Sequence, residues 1–183
     1  MIIAISGTPG TGKTAVAKLL AKKLGANLIE VKKLVDKGEI SYRHDRKRKT
    51  RVIDAVEMKK AVKEKIAKNK INIVESHLSH LIKADLVIIL RANPSVLQKR
   101  LERKKWGKAK IRENVEAEIV DAITIEALGV HGKSKVLEIG TSGKKPGEVA
   151  GLIAKLLKRQ IDYREYLAGK TDWSGYMRVL SKL

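Results

Sequence analysis

The sequence predicts a doubly wound α/β fold with a five-stranded parallel sheet, and three observations support this prediction. Short aliphatic runs recur along the chain, as expected for central parallel strands that are covered on both faces. Segments with helical apolar spacing separate these runs, which is the alternation that builds parallel sheets. A glycine-rich loop follows the first run and precedes the first helix, at the edge where such sheets bind ligands.

The glycine-rich loop matches the phosphate-binding pattern G-x-x-x-x-G-K-[ST] at every fixed position, as GTPGTGKT over 7–14. Gly10 and Gly12 let the backbone curl tightly, and its N–H groups with the next helix N-terminus form an anion cradle. In this pattern Lys13 reaches the β- and γ-phosphates, and the Thr14 hydroxyl can bind Mg²⁺. A plain turn before an amphipathic helix is the alternative. The complete match in this setting predicts binding of a nucleoside triphosphate.

Wholly apolar runs predict the strands, because both faces of a central parallel strand are buried. IIAI, NLIEV, the run ending in Glu75, LVIIL and VLEI predict strands over 2–5, 27–31, 71–74, 86–90 and 136–139. Two successive strands joined through a helix give a right-handed crossover. The sequence therefore predicts one domain over 1–168 with a five-stranded sheet.

Apolar spacing and terminal residues predict the helices. Gly25 and Gly129 suit C-terminal positions, and Pro94 suits the first helical position after Asn93 as N-cap. Pro146 opens the last helix in the same way. The predicted helices cover 13–24, 32–37, 52–67, 94–105, 111–128 and 146–168.

Three segments fall outside this regular pattern. Residues 39–51 include SYRHDRKRKTR, are densely basic, and lack an apolar period, which predicts a mobile surface loop. Residues 103–113 form a short basic insert between two helices, and such an insert can close over a nucleotide as a lid. The basic tail over 169–183 contains Trp173 and Tyr176, and either a short packed helix or a loose segment fits it.

Composition limits the cellular setting and the partners. The 183 residues contain no cysteine, which excludes disulfides and thiolate metal sites. No run of 18 apolar residues and no signal peptide are evident, so we expect a soluble cytoplasmic protein without a membrane partner. The net charge is +20, and segments 31–70 and 99–112 together hold 16 of these charges. This concentration favours a polyanionic partner such as RNA over a merely solvated surface.

The segment INIVESHLSH supplies candidate catalytic residues. Glu75 ends a predicted central strand, where phosphate-binding-loop proteins hold Mg²⁺ through an acidic side chain. His77 lies two residues later and could position a nucleophile or leaving group. The alternative is that Glu75 merely ends the strand and that His77 and His80 are ordinary loop residues. The position favours a functional role for Glu75, whereas spacing alone does not decide between the two interpretations of His77. The candidate catalytic residues are Lys13, Glu75 and His77, with Thr14 and Glu75 at the metal.

GTPGTGKT, the acidic-x-His of Glu75-Ser76-His77 and LERKKWGKAKIRENVEAEI resemble the small adenylate-kinase-like NTPases that also act in small-ribosomal-subunit maturation. The resemblance covers about residues 1–160. It implies a nucleoside monophosphate kinase fold, ATP and Mg²⁺ as cofactors, AMP as phosphate acceptor, and ATPase activity. It also implies a ribosomal protein of the small-subunit platform, or rRNA, as partner in late pre-rRNA processing.

The resemblance also implies roles for individual residues. Gly10, Gly12, Lys13, Thr14 and Ala15 would hold ATP phosphates. Segment 30–53 would bind the monophosphate, with Asp54 opening the next helix. Segment 103–113 would be the lid, with Lys104 at the place of a nucleotide-binding arginine, and Lys145 would lie beside the adenine. The chain departs from the family pattern at Glu75, where aspartate is usual, and in the basic character of 41–51.

Two functions of different classes remain open from the sequence. One is an enzyme that makes ADP from ATP and AMP. The other is a ribosome-assembly ATPase whose basic surface binds a ribosomal protein or rRNA, with kinase activity minor. A small-metabolite kinase of similar size is less supported, because no D-x-D follows the second strand.

Overall fold

The computed structural model describes residues 1–46 and 50–177, and its centre is a five-stranded parallel sheet in the order β2-β5-β1-β6-β7. The strands are β1 (Ile2–Ser6), β2 (Asn27–Glu30), β5 (Asn72–Glu75), β6 (Leu86–Arg91) and β7 (Val136–Gly140). The pairing aligns Ile5 of β1 with Glu75 of β5 and with Ile88 of β6. All five predicted strands are therefore confirmed.

Helices cover both faces of the sheet. α1 (Lys13–Leu24) and α7 (Pro146–Leu157) pack on one face, against side chains such as Ile3 and Ile5. α2 (Val31–Asp36), α3 (Ala55–Glu64) and α6 (Ala122–His131) cover the other face, on which Ala4 lies. Neighbouring residues of a strand face opposite sides, so the alternation within Ile3–Ala4–Ile5 puts apolar groups into both layers. None of the helices over 1–46 and 50–177 is both long and apolar enough to span a membrane.

The fourth and fifth helices form a hairpin beside the sheet. α4 (Pro94–Arg103) begins at Asn93, whose side chain accepts the Ser95 N–H at 3.0 Å, as the sequence predicted. A short turn leads into α5 (Lys108–Ile119), and the hairpin has its own apolar cluster around Leu97, Leu101 and Val115. Trp106 of the turn packs against this cluster.

The single helix predicted over 111–128 is wrong, because the structure divides it into α5 and α6. Asp121 between them has a left-handed backbone (φ 55°). Arg91 Nη2 donates to the Glu118 carbonyl at 2.9 Å and also contacts the Asp121 carboxylate. In a continuous helix that carbonyl would accept the N–H of residue 122. An arginine 27 residues earlier in the chain therefore ends α5.

The mobile loop predicted over 39–51 is also wrong in its described part. β3 (Tyr42–Asp45) and β4 (Thr50–Ile53) pair as an antiparallel hairpin, while residues 47–49 lie outside the described part. Arg51 lies 4.6 Å from the Tyr42 ring centroid and forms a 2.5 Å ion pair with Asp36. Polar and cation–π pairs hold these exposed strands, so an apolar period could not reveal them.

Two predicted helices are shorter than expected. α3 begins after Asp54, whose carboxylate accepts the N–H groups of Val56 and Glu57 at 2.7 and 2.9 Å. This confirms Asp54 as the residue that opens the helix, and it leaves Val52–Ile53 in β4. α7 ends at Leu157, and Arg159 then takes a left-handed conformation (φ 56°).

The chain after α7 returns along the sheet edge and then packs on the helical hairpin. A 3-10 turn over Tyr163–Tyr166 leads to Ala168, whose N–H donates to the Val136 carbonyl at 3.0 Å. A second 3-10 turn over Ser174–Tyr176 brings Trp173 and Tyr176 against the α4–α5 cluster. The described part of the tail is therefore packed, and residues 178–183 lie outside it.

Arg91 is the most heavily paired buried charge in the described ranges 1–46 and 50–177. It is 2% exposed and contacts the carboxylates of Glu118, Asp121 and Glu138. We expect Arg91→Met to lower the free energy of unfolding by about 3–5 kcal/mol, because Glu118 and Glu138 would stay buried without a counter-charge. Urea denaturation measures this change.

The matched control for that measurement is Arg112→Met, because Arg112 pairs with Glu116 at an exposed position of α5. An exposed pair contributes at most about 1 kcal/mol. Equal losses for the two variants would show that the buried cluster does not stabilise the fold.

Candidate active site

The loop between β1 and α1 closes around the carbonyl of Thr8. This oxygen accepts the Thr11 N–H at 3.2 Å, the Thr11 hydroxyl at 2.8 Å and the Lys13 ammonium at 3.1 Å. Lys13 is only 8% exposed, so its ammonium group lies inside the loop. The loop is therefore preformed.

Two glycines of the loop have conformations that other residues rarely adopt. Gly7 has φ 134°, and a Cβ there would lie 2.4 Å from the Leu90 carbonyl oxygen. Gly12 has φ 98°, and a Cβ there would meet nothing within 4 Å, so the space before α1 is open. Among the described residues no side chain caps the N-terminus of α1. Its N–H groups, which begin with those of Lys13, Thr14 and Ala15, are accordingly available to an anion.

Two carboxylates end neighbouring strands beside this loop. Glu30 of β2 and Glu75 of β5 are in register, and both are buried. Burial raises the pKa of Glu75, and the charge of Lys13 and a hydrogen bond with Thr14 oppose that rise. Glu30 pairs with Lys33 at 2.5 Å and with Lys18 at 3.5 Å. Thr14 and Glu75 thus meet at one point, as the sequence predicted from their separate motifs.

His77 lies on the turn after β5. Surrounding protein atoms and the charges of Lys13 and His80 lower its pKa. The residue as a whole nevertheless remains exposed to solvent. A neutral imidazole with access to solvent can accept a proton or orient a water molecule.

A cleft of about 430 Å³ opens beside the loop and extends towards α7. Positive charge from α4 and its C-terminus dominates one wall, where Arg100, Arg103 and Lys104 lie. Arg100 is fixed there, since it donates to the Gly10 carbonyl at 3.3 Å and to the Thr141 carbonyl at 3.0 Å. The full lining comprises Gly10, Thr11, Gly12, Val16, Arg100, Arg103, Lys104, Thr141, Lys144, Pro146 and Val149.

The predicted nucleotide-binding residues fall around this cleft to different extents. Gly10, Gly12 and Lys104 line it, and Lys104 also helps to lower the pKa of Lys13. Lys145 itself does not line the cleft, although its neighbours Lys144 and Pro146 do. Lys145 itself is the N-cap of α7, and its N–H donates to Glu148 at 2.6 Å.

Sequence reasoning missed several residues that shape the site. Glu30 had a signal, because β2 and β5 read NLIE and NIVE and end in glutamate at the same register. Arg100 lay within a basic run whose members could not be told apart. No sequence pattern indicated that Glu118 contacts the loop. Its carboxylate accepts the Thr8 hydroxyl at 2.5 Å, although the two residues are 110 positions apart.

A second cavity of about 460 Å³ lies between the β3–β4 hairpin and α3. Its lining combines an aromatic ring, aliphatic groups, one arginine and two carboxylates, from Ser41, Tyr42, Arg43, Val52, Ile53, Asp54 and Glu57. Glu57 accepts the Ser41 N–H at 2.8 Å, which ties α3 to the hairpin. The cavity therefore belongs to the segment predicted to bind a monophosphate.

Comparison with known sequences identifies relatives along almost the whole chain. A model of the AAA domain family matches residues 3–121. A Thermococcus kodakarensis protein named "Putative adenylate kinase" is 42% identical over 174 residues, covering 95% of this chain and 93% of that protein. A Pyrococcus furiosus protein of the same name is 43% identical over 175 residues, covering 95% and 92%. Because so few residues remain unaligned, the similarity reaches beyond residue 160 into the tail.

Comparison with solved structures places the fold among small kinases. Shikimate kinase from Acinetobacter baumannii, in complex with shikimate, superposes with a TM-score of 0.59 at 15% identity, covering 87% of this chain and 93% of that one. Thymidylate kinase from Candida albicans gives 0.54 at 13% identity, covering 87% and 92%. At such low identity these likenesses show the fold alone.

Burial lowers the pKa of Lys13 to about 8, despite the opposing charge of Glu75. We expect ATP affinity to fall as the pH rises through 8, because the ammonium loses the charge that the phosphates attract. Bound phosphates raise the pKa of a nearby ammonium, so ATP binding at pH 8.5 takes up a proton. Calorimetry in two buffers of different ionisation enthalpy measures this uptake.

The control for proton uptake is Lys13→Arg, because a guanidinium does not titrate in this range. Equal proton uptake by this variant and the unmodified protein at pH 8.5 would assign the titration to another group.

Proposed function

Because the chain belongs to the AAA domain family and groups with the archaeal adenylate-kinase-like proteins, we propose that it is a cytoplasmic nucleoside monophosphate kinase that converts ATP and AMP into two ADP. ATP hydrolysis accompanies this transfer. The relatives' name and the kinase-type fold support the proposal.

One observation carries the proposal. The preformed loop around Thr8 holds Lys13 beside the Thr14–Glu75 pair, and a cleft with four further cations opens from the same loop. A triphosphate laid along the loop would meet N–H groups and Lys13 at its phosphates, while its nucleoside would enter the cleft. Preorganised cations of this kind stabilise the charge that develops during phosphoryl transfer.

The donor set beside the loop fits Mg²⁺. Thr14 and Glu75 offer a hydroxyl and a carboxylate, and hard oxygen ligands of this type suit Mg²⁺. Residues 1–46 and 50–177 contain no group of three or more His, Cys, Asp or Glu side chains that could enclose a metal. Mg²⁺ normally takes one or two carboxylates and completes its shell with phosphates and water. Bound there, it would neutralise phosphate charge.

The protein side chains then divide the work. Lys13 would hold the transferring phosphate, and Glu75 would orient the metal site through Thr14. His77, neutral at pH 7, would orient the attacking group or a water molecule. Gly10, Gly12, Thr14 and Ala15 would contribute to the cradle, and Lys104 and Lys145 would lie near the nucleoside.

Two segments would complete the reaction chamber. We assign the acceptor AMP to segment 30–53 and its cavity of about 460 Å³, and the lid to segment 103–113. The lid is the tip of the α4–α5 hairpin, where Lys105 has φ 56° and Lys110 lies 4.5 Å from the Trp106 ring centroid. Closure of the lid would exclude water and favour transfer over hydrolysis. Residues 1–168 would form the kinase domain and 169–183 a basic tail.

A comparison of Glu75→Gln with His77→Ala tests this division of work. We expect Glu75→Gln to lower ADP formation from ATP plus AMP and ATP hydrolysis alike, by about a hundredfold, because both need the organised phosphate site. We expect His77→Ala to lower hydrolysis by at least about tenfold and transfer to AMP much less. Coupled assays with and without AMP give both rates.

Lys13→Ala shows whether the measured activity belongs to this site. Its rate should fall below about a tenth of the unmodified rate, since Lys13 meets the phosphates as charge shifts. Thermal melting of each variant shows that the fold survives. Equal losses of ADP formation and ATP hydrolysis in Glu75→Gln and His77→Ala would remove the separate role of His77.

A second function is favoured by the distribution of charge. Segments 31–70 and 99–112 hold 16 of the 20 net positive charges, which is more than a nucleotide needs. We propose that these segments also bind a platform ribosomal protein or rRNA during small-subunit maturation, so that an assembly ATPase is the alternative to a metabolic kinase. Lys59, Lys60 and Lys63 of α3 are exposed and extend this basic surface beyond the hairpin. Lys47, Arg48 and Lys49 lie outside the described residues.

Reversal of the α3 charges tests this second function. We expect Lys59→Glu/Lys60→Glu/Lys63→Glu to weaken binding of structured RNA by at least about tenfold. The salt dependence of binding should also decrease, because fewer phosphate contacts mean that fewer counterions are released when RNA binds. ATP hydrolysis should stay within about twofold. Filter binding between about 50 and 200 mM salt measures the affinity.

A matched control carries the same change of net charge on the other side of the sheet, as Lys22→Glu/Lys155→Glu/Lys158→Glu on α1 and α7. Equal weakening by both triple variants would indicate an effect of net charge alone. A flat salt profile for the unmodified protein would contradict RNA binding altogether.

A further inference from the structure

His80 is completely buried behind the phosphate-binding loop, although its sequence position suggests an ordinary loop residue. Its Nδ1 lies 3.0 Å from the hydroxyl of Ser6, and its Nε2 lies 2.9 Å from the Glu126 carboxylate of α6. His131 donates from Nε2 to the His80 carbonyl at 2.7 Å. His80 therefore connects the end of β1 with α6.

Ser6, which contacts His80, lies beside two parts of the candidate active site, the phosphate-binding loop and the turn that carries His77. Ser6 is the last residue of β1 and directly precedes Gly7 of the loop. The Ser6 hydroxyl also lies 3.1 Å from the His77 carbonyl oxygen. The Ser79 hydroxyl reinforces this turn, because it lies 2.8 Å from the Ile5 carbonyl and 2.9 Å from that of Ser76. The turn that carries His77 is thus tied to the start of the phosphate-binding loop.

The chemistry of the partners fixes the direction of the hydrogen bonds. The Glu126 carboxylate can only accept, so Nε2 of His80 carries the hydrogen. In a neutral ring Nδ1 then accepts, and the single hydrogen of the Ser6 hydroxyl is shared between two acceptors, Nδ1 of His80 and the His77 carbonyl. Burial lowers the pKa of His80 and favours this neutral form, although the Glu126 hydrogen bond and charge oppose the shift. His131 adds to the lowering.

We propose that His80 is a positioning residue for phosphoryl transfer, which holds Ser6 and the His77 turn in register with α6 through Glu126. The Ser6 bond acts on the site, and the Glu126 bond orients the imidazole ring. This inference rests on the proposed kinase function. A displacement of the reacting groups by about 1 Å can cost about a hundredfold in rate, so a fixed connection between the phosphate-binding loop and the His77 turn has a direct catalytic use.

Two substitutions of His80 separate its two hydrogen bonds. His80→Asn places an amide oxygen near the position of Nδ1 and keeps an acceptor for Ser6, whereas His80→Gln places an amide near Nε2 and keeps a donor for Glu126. We expect His80→Gln and Ser6→Ala to lower kcat by about tenfold or more, with KM for ATP changed by less than about threefold. His80→Asn should keep at least about a third of the kcat.

A double variant and two glutamate variants complete the design. Ser6→Ala/His80→Gln should be no slower than either single variant within about twofold, because both remove the same bond. Glu126→Ala should also lower kcat, but by a smaller factor than His80→Gln or Ser6→Ala. Glu165→Ala, at an exposed position of the 3-10 turn after α7, should leave kcat unchanged.

A purely structural role for His80 gives a different pattern. It predicts lower melting temperatures with unchanged kcat in the folded fraction, or losses that multiply in the double variant, and either result overturns the proposal. If His80→Gln does not fold, the kcat values of Ser6→Ala and Glu126→Ala are measured instead. Glu126 is 60% exposed in its side chain, so its truncation leaves the core filled. Lower kcat in both variants supports the proposal, and unchanged kcat in both overturns it.

Failure of the proposed function is distinguishable from failure of this inference. If the unmodified protein produces no ADP with or without AMP, the kinase proposal falls. Hydrogen exchange of the peptide that covers residues 2–12 then decides the role of His80. Exchange faster by about tenfold in His80→Gln than in His80→Asn supports the positioning role, and equal exchange in the two variants overturns it.

Discussion

The structure depends on how the buried charge of Arg91 is satisfied. Its guanidinium contacts carboxylates from α5, the α5–α6 junction and β7, and it also donates to the Glu118 carbonyl. Two of these carboxylates are buried almost as completely as Arg91 itself. Buried charges persist only where partners and hydrogen bonds replace water. Four parts of the chain must therefore meet at one point.

The consequences of this cluster reach the candidate active site. Glu118 accepts from Arg91, from the Ala92 N–H and from the Thr8 hydroxyl, so it connects the ion cluster to the phosphate-binding loop. Glu138 accepts from the Gly169 N–H and thereby fixes the start of the tail. The helix that leads from the proposed lid is thus anchored to the loop it would cover. Removing one member of a buried ion cluster leaves the other charges uncompensated, so the folded chain keeps these elements together.

Two long-range contacts hold the loop and the residue that precedes it. Glu118 reaches Thr8 from the side of α5, and His80 reaches Ser6 from the side of α6. Burial of Lys13 lowers its pKa to about 8, and the charge of Lys104 adds to this shift, while the carboxylates of Glu75 and Glu118 oppose it. The loop is held in one conformation by its internal hydrogen bonds, and its cation is already dehydrated. Both features reduce the reorganisation that binding would need.

The sequence by itself determined the parts whose causes are local. Aliphatic runs, the glycine–lysine–threonine pattern and the cap at Asn93 depend on neighbours within a few residues, and the sheet, the loop and the start of α4 were predicted from them. The start of α3 at Asp54 was predicted only through the family resemblance. The roles assigned to Glu75, His77, Lys104 and Lys145 stay predictions. Only the tertiary structure decided the break at Asp121, the hairpin beside α3, the packing of Trp173 and Tyr176, and the burial of His80. Each of these depends on a charge, ring or hydrogen-bond partner that lies far away in the chain, as Arg91 does for Asp121. A pattern of residue spacing carries no information about such partners, because they come together only in the folded chain.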